Sequence, residues 1–210
     1  MMESQHSEAV ITALNVREFF QQSLQSALDS QQIQADDGTI VYIVNLLSTF
    51  THAHELYDET PEGRMLRPLV AHYTDAVYAG TPDERIHALR RLGDIALFVS
   101  GLFPDSLNRS LVDVDYYISM GGTAYGHLSD TLPPTTRGRT YSRIFEELSA
   151  KFPAFVEALG EIADSAPLND DRDVMRLYEV WMRTGSQRAA RRLERLGIQV
   201  AAGSASCSRH

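Results

Sequence analysis

The sequence predicts an all-α fold: a single bundle-like domain of about seven or eight helices over residues 1–200, with a flexible tail at 201–210. Three observations predict it. Apolar residues recur every three to four positions in one segment after another, the mark of a helix that buries one stripe. The breaks between segments carry helix-capping chemistry, clearest in "AGTPDE" at 79–84. No segment alternates apolar and polar residues over six or more positions between turn signals, as a half-buried strand would.

The first helix is expected over residues 8–32, where Val16, Phe19, Phe20, Leu24, Ala27 and Leu28 fall near helical spacing. "ADDGT" at 35–39 is a turn, and Asp36, Asp37 or Thr39 can cap a second helix over 40–57. Its stripe is Ile40, Ile43, Val44, Leu47 and Phe50. The β-branched run at 40–44 also suits a strand, but the pattern outlasts the usual strand length, which decides for helix. "TPEG" at 60–63 places a proline after a threonine, a helix-opening signal, so a third helix is expected over 60–78 with Pro68 as a kink. Gly80 then closes that helix, Thr81 caps the next, Pro82 takes its first position and Glu84 completes a capping box. Ile86, Leu89, Leu92, Ile95, Ala96 and Val99 follow at helical spacing, and Pro104 breaks the run.

A fifth helix is expected over 113–129 and a sixth over 141–162, with Pro153 kinking or splitting the latter. "TLPPTTRGRT" at 131–140 is the longest obvious loop and the place for a sub-boundary. A seventh helix carries Val174, Leu177, Tyr178 and Trp181, and a last one, capped by Ser186, carries Ala189, Leu193 and Leu196.

Composition bounds the function classes. Hydrophobic content of 43% and charged content of 22% are those of a globular chain and exclude a fibrous or wholly disordered one. "MMESQHSEAV" has neither a basic stretch nor an apolar core, which argues against a secretory signal. Apolar runs such as "IVYIVNLL" are too short to cross a bilayer, which takes about 20 residues. Cys207 is the single cysteine, so no disulfide can form within the chain, and a cytoplasmic location is expected. The net charge of −9 argues against general nucleic-acid binding. The charge is uneven: residues 183–195 hold five arginines and one glutamate, a local +4 that leaves about −13 for the remainder.

Four groups of residues could carry chemistry. "THAHELYDE" at 51–59 is densest in metal ligands, and His54 and Asp58, four apart, share a helical face. The order is His-x-x-acid, the reverse of the Glu-x-x-His spacing of carboxylate-bridged metal bundles, and His-Glu-x-x-His is absent. Surface or hydrogen-bonded core histidines are the stronger reading there. Asp94 sits within an apolar helix, where a carboxylate must be paired, and Arg90 and Arg91 lie one turn earlier. A structural ion pair outweighs a catalytic acid at that position.

Gly121 and Gly122 each cost a helix up to about 1 kcal/mol relative to alanine, so something must offset them. Either another helix approaches closely, or the gap admits a ligand between Tyr116, Tyr117, Tyr125 and His127. Helix packing is the favoured account, since the glycines do not follow a phosphate-loop spacing. Finally, Arg188, Arg191, Arg192 and Arg195 form a basic stripe on the last helix, able to meet an acidic partner, RNA or a membrane surface, although a solvated outer face or one paired with the acidic body of the protein is the stronger reading. Nucleophile elbows, phosphate loops and paired Cys-x-x-Cys motifs are missing from the sequence.

Two stretches, "LGDIALFVSGLFPDSLNRSLVDVDYYISMGGTAYGHLS" and "LYEVWMRTGSQRAARRLERLGI", resemble segments of uncharacterised bacterial all-helical proteins of similar length. The resemblance covers roughly half the chain. It implies a bacterial origin and one unit spanning both stretches, and attaches no activity, cofactor or site residue. The expectation is therefore a non-enzymatic regulatory or adaptor protein acting through protein contact. The alternative is a small-molecule or metal-binding helical bundle with room for enzyme activity. An apolar face on the first helix would suit a homo-oligomer.

Overall fold

In the computed structural model the described residues are 2–50, 58–60, 63–65, 67–107, 113–165, 191 and 193. Two compact units emerge from the packing, Met1–Ala163 and Asp164–His210. The 131–140 segment lies inside the first. Of the second, Asp164 and Ser165 end a helix that starts in the first unit, and Arg191, exposed, and Leu193, buried, are both helical. The predicted seventh helix, and the last helix apart from these two residues, lie outside the described residues, as do Arg188, Arg192 and Arg195.

The fold is all-α. Its helices are α1 (Met2–Ser30), α2 (Asp37–Phe50), α3 (Leu69–Val77), α4 (Pro82–Leu102), the single turn α5 (Pro104–Leu107), α6 (Val114–Thr131), α7 (Thr136–Ala150) and α8 (Phe152–Ser165). Strands β1 (Asp58–Thr60) and β2 (Gly63–Met65) pair antiparallel with Asp58 opposite Met65 and Thr60 opposite Gly63. Among the described residues, no helix is long and apolar enough to cross a membrane.

Local chemistry explains most of the boundaries. The side chain of Thr81 accepts from the Glu84 amide while the Glu84 side chain accepts from the Thr81 amide, the reciprocal box expected at "TPDE", and α4 starts there. Asp113 caps α6 by accepting from the Tyr116 amide. α1 is closed just beyond Ser30 by Gln32, whose φ of 57° is left-handed. The Ile33 amide reaches back to the Leu28 carbonyl at 2.9 Å and the Gln32 amide to that of Asp29 at 3.2 Å, a Schellman closure made without glycine.

α1 starts at Met2 rather than residue 8, and three further boundaries depart from expectation for identifiable reasons. The helix predicted over 60–78 starts only at Leu69, because Pro68 is its cap residue, with extended backbone, rather than an internal kink, and the "TPEG" segment joins paired strands. The helix predicted from Tyr141 starts five residues earlier, at Thr136, since Thr135 accepts from the Gly138 amide at 3.0 Å. Pro153 splits the predicted sixth helix instead of kinking it: α7 closes at Lys151, and the proline sits in the first turn of α8, where its missing N–H costs nothing.

The first unit packs around one core. α4 lies centrally, with α6 and α3 against it; α6 also carries α7, α1 lies on α2, and α2 reaches both α4 and α7. Tyr125, Phe152, Phe155, Leu92, Ile95, Leu97 and Leu128 are wholly buried. Two polar clasps tie the connections to this core. Glu147 on α7 accepts from the Thr39 hydroxyl at 2.6 Å, the Asp36 amide at 3.1 Å and Lys151 at 2.8 Å, so it holds the start of α2. Lys151, the only lysine in the chain, also donates to the Gln34 carbonyl at 2.7 Å. Glu161 accepts from Ser30 at 2.9 Å and Gln31 at 2.8 Å, fastening the end of α1 to α8.

Candidate functional site

Asp94 stands in the middle of α4, one side chain among buried apolar ones, and only 14% of that side chain is exposed. A carboxylate so placed needs donors. The Tyr42 hydroxyl, from α2, donates to its Oδ1 at 2.5 Å, and the Tyr125 hydroxyl, from α6, donates to the same oxygen at 2.8 Å. Arg90 approaches Oδ2 with Nε at 3.6 Å and donates to the Tyr42 hydroxyl at 3.1 Å. Three helices thus meet at one carboxyl group. The ion pair expected with Arg90 is present, and the stronger partners are two tyrosines far away in the chain. Arg91 instead lies over the Phe50 ring, 5.4 Å from its centroid.

Aromatic packing holds these donors. The Tyr125 ring stacks on Phe145 at 5.5 Å and tilts against Phe152 at 5.9 Å, while Tyr42 meets Phe145 edge-on at 5.2 Å. The close approach of α6 to α4 depends on Gly93: a Cβ there would lie 2.5 Å from the Tyr125 ring. Burial raises the Asp94 carboxyl above the usual aspartate range, although the tyrosine hydroxyls and Arg90 favour its charged form. Burial, together with the Asp94 charge, also pushes the Tyr42 and Tyr125 hydroxyls well above the ordinary phenol value, so both stay protonated donors. The group is a satisfied polar knot that fixes the register of α2, α4 and α6.

Beside the knot opens a groove of about 250 Å³ between α4, α6 and α7. Ile86, Leu128 and Phe145 form its apolar floor, and Leu132 and Pro133 form a rim. Arg90 and Arg137 line it as well, each guanidinium lying over a tyrosine ring: Arg90 over Tyr42 at 5.4 Å, Arg137 over Tyr141 at 5.8 Å. No carboxylate is among the lining residues.

The seven candidate ligand-binding residues do not line this groove; Arg90 alone joins it to Asp94. Tyr125 belongs to the knot. Gly121 abuts the Phe152 ring, and a Cβ on it would come within 2.7 Å of the Ala96 Cβ, so this glycine lets α6 close on α4 and α8. Gly122 is less confined, its nearest neighbour being the Phe152 Cβ at 3.6 Å. Tyr116 and Tyr117 pack edge to face at 6.1 Å in the first turn of α6; Tyr117 is buried and its hydroxyl pKa is raised for that reason. His127 is exposed. Of the metal candidates, His54 lies outside the described residues, and Asp58 sits at the start of β1. Among the described residues, no group of three or more His, Cys, Asp or Glu could hold a metal ion.

Sequence reading missed Tyr42 and Arg137, and named Arg90 only as a partner for Asp94. Tyr42 sits inside the apolar run of α2 and reads as core; only its hydroxyl, opposite a lone carboxylate on another helix, signals more. No family model matches the chain, and neither does any curated protein or any solved structure. The reading of function rests on the chain's own chemistry.

Proposed function

We propose that this chain is a non-enzymatic regulatory or adaptor protein, cytoplasmic and bacterial in setting, that acts through protein contact. One observation carries the reading. α3 is a nine-residue helix whose Leu69, His72 and Ala76 turn into the core, while Val70, Tyr73 and Val77, on the outer side with Thr74 and Asp75, are 55%, 45% and 53% exposed. Tyr78, directly after the helix, is 81% exposed. Val70, Tyr73 and Val77 recur at i, i+3, i+7, the anchor spacing by which one helix receives another, and a contiguous apolar patch of this kind marks an interaction surface. A solvated helix would carry polar residues there.

Tyr78 also lines a cleft between α3 and α4 in which Asp75, Asp83 and Glu84 stand beside Arg67, Arg91, His72 and His87, so the lining mixes both charge signs. Asp75 pairs with Arg67 at 3.0 Å and Glu84 completes the α4 cap, whereas Asp83 has no ion pair among the described residues. The expected partner is a helix with an apolar face. The closed state of the Asp94 knot agrees with a structural use of this buried carboxylate.

The test compares wild type with Tyr73→Glu, an exposed change that leaves the core untouched. Immobilised wild type should retain a partner that the variant loses, and the purified partner should rebind wild type alone. Equal retention by both proteins, or self-association through α3 in sedimentation, would overturn the reading of α3 as an adaptor face.

A further inference from the structure

We propose that the groove between α4, α6 and α7 binds a small carboxylate with an aromatic or branched apolar body. The site shares no lining residue with the exposed face of α3. Its chemistry is that of a one-sided charge reader. Arg90 spends Nε on Tyr42 and Asp94, and its side chain is 53% exposed, so both terminal nitrogens keep their donors. Arg137 is exposed, and its Nη1 donates to the Pro134 carbonyl at 2.7 Å only if that bond belongs to Arg139, so for Arg137 itself no hydrogen bond to the described residues is made; its Cζ stands over the Tyr141 ring, 5.8 Å from the centroid. Tyr141 adds a half-buried hydroxyl that likewise has no hydrogen bond within the described residues.

Two guanidiniums lie over aromatic rings with no carboxylate in the lining; Arg90 is already paired with Asp94 at 3.6 Å, so Arg137, which has no ion pair among the described residues, supplies the groove's positive charge. Planar guanidinium forks match a carboxylate in two-point contact. The apolar floor of Ile86, Leu128 and Phe145 calls for a hydrophobic body beside that carboxylate. The volume of about 250 Å³ falls below the roughly 300–1,000 Å³ of sites for drug-sized compounds, which limits the occupant to a small acid. The inner guanidinium is oriented in advance. Arg90 is tethered by Tyr42 and Asp94, so little side-chain freedom is lost when an acid binds it.

Phenylacetate serves as the probe, with phenylacetamide as its uncharged match, and amide resonances of the full-length protein as readout. Phenylacetate should produce saturable shifts at Gly138 and Leu128, reduced by salt; phenylacetamide should not. Arg137→Gln, at an exposed position, should keep the spectrum and weaken binding about tenfold, the loss expected for one charged contact. Tyr141→Phe should weaken it less while also leaving the fold intact. Equal binding of the amide, unchanged binding by Arg137→Gln, or no shift up to about 10 mM phenylacetate, would overturn the proposal. Tighter binding of an acetylated tetrapeptide ending in phenylalanine would reassign the groove to the carboxyl terminus of a protein.

Discussion

Replacing Tyr125 with phenylalanine isolates one donor of the buried knot. The ring is wholly buried, and its contacts with Phe145 and Phe152 survive the change; only the hydroxyl that donates to Asp94 at 2.8 Å is lost. A hydrogen bond to a charged group contributes about 1.5–3 kcal/mol. Asp94 keeps Tyr42 and Arg90, so it is not orphaned, and the lower part of that range, about 1.5–2 kcal/mol, is expected at pH 7.5.

The loss should depend on pH. Burial already raises the folded-state pKa of Asp94, so between its unfolded and folded values the native protein holds the extra proton and stability falls as pH rises. Removing Tyr125's hydroxyl takes away a group that favours the charged form, which raises the folded value further and widens that window. At pH 4 much of the group is protonated in both proteins, and the difference shrinks to that of a neutral hydrogen bond, about 0.5–1 kcal/mol. Urea unfolding followed by far-ultraviolet circular dichroism at the two pH values measures both quantities. An equal cost at pH 4 and 7.5, or a cost under about 0.5 kcal/mol at pH 7.5, would refute the assignment of Asp94 as a buried carboxylate held by this tyrosine.

The adjacent glycines should respond in opposite directions. Gly121→Ala drives a methyl against Ala96 and Phe152 and should destabilise by about 1–3 kcal/mol through overpacking, whereas Gly122→Ala meets only ordinary contacts and should gain up to about 1 kcal/mol of helix propensity; thermal melts of the two variants decide. Glu147→Gln should cost about 1–2 kcal/mol at neutral pH. Burial opposes ionisation of Glu147, but hydrogen bonds from Lys151, Thr39 and the Asp36 amide outweigh it and hold its pKa below the usual glutamate value. Its stabilisation is therefore complete above the unfolded-state pKa and disappears as pH falls through the lowered folded value, so wild type and variant should converge in acid titrations of stability.

What the residues alone determine here is local. The recurrence of Ile86, Leu89, Leu92, Ile95 and Val99 specifies α4, and Thr81, Pro82 and Glu84 specify where it begins, because hydrogen-bond closure and capping involve neighbours three or four positions apart. Short signals with two local solutions were not resolved by the same means: Pro61 suits a helix start or a turn, and only the pairing of Thr60 with Gly63 selects the hairpin. Tertiary structure alone decided the rest. Asp94 reads as a partner for Arg90, yet its shortest bonds come from Tyr42, 52 positions earlier, and Tyr125, 31 later. Gly121 and Gly122 are indistinguishable in composition, yet one is filled by a phenylalanine ring and the other is not. Such pairings follow from how helices rotate and cross when ridges settle into grooves, a property of two surfaces together that neither segment carries alone.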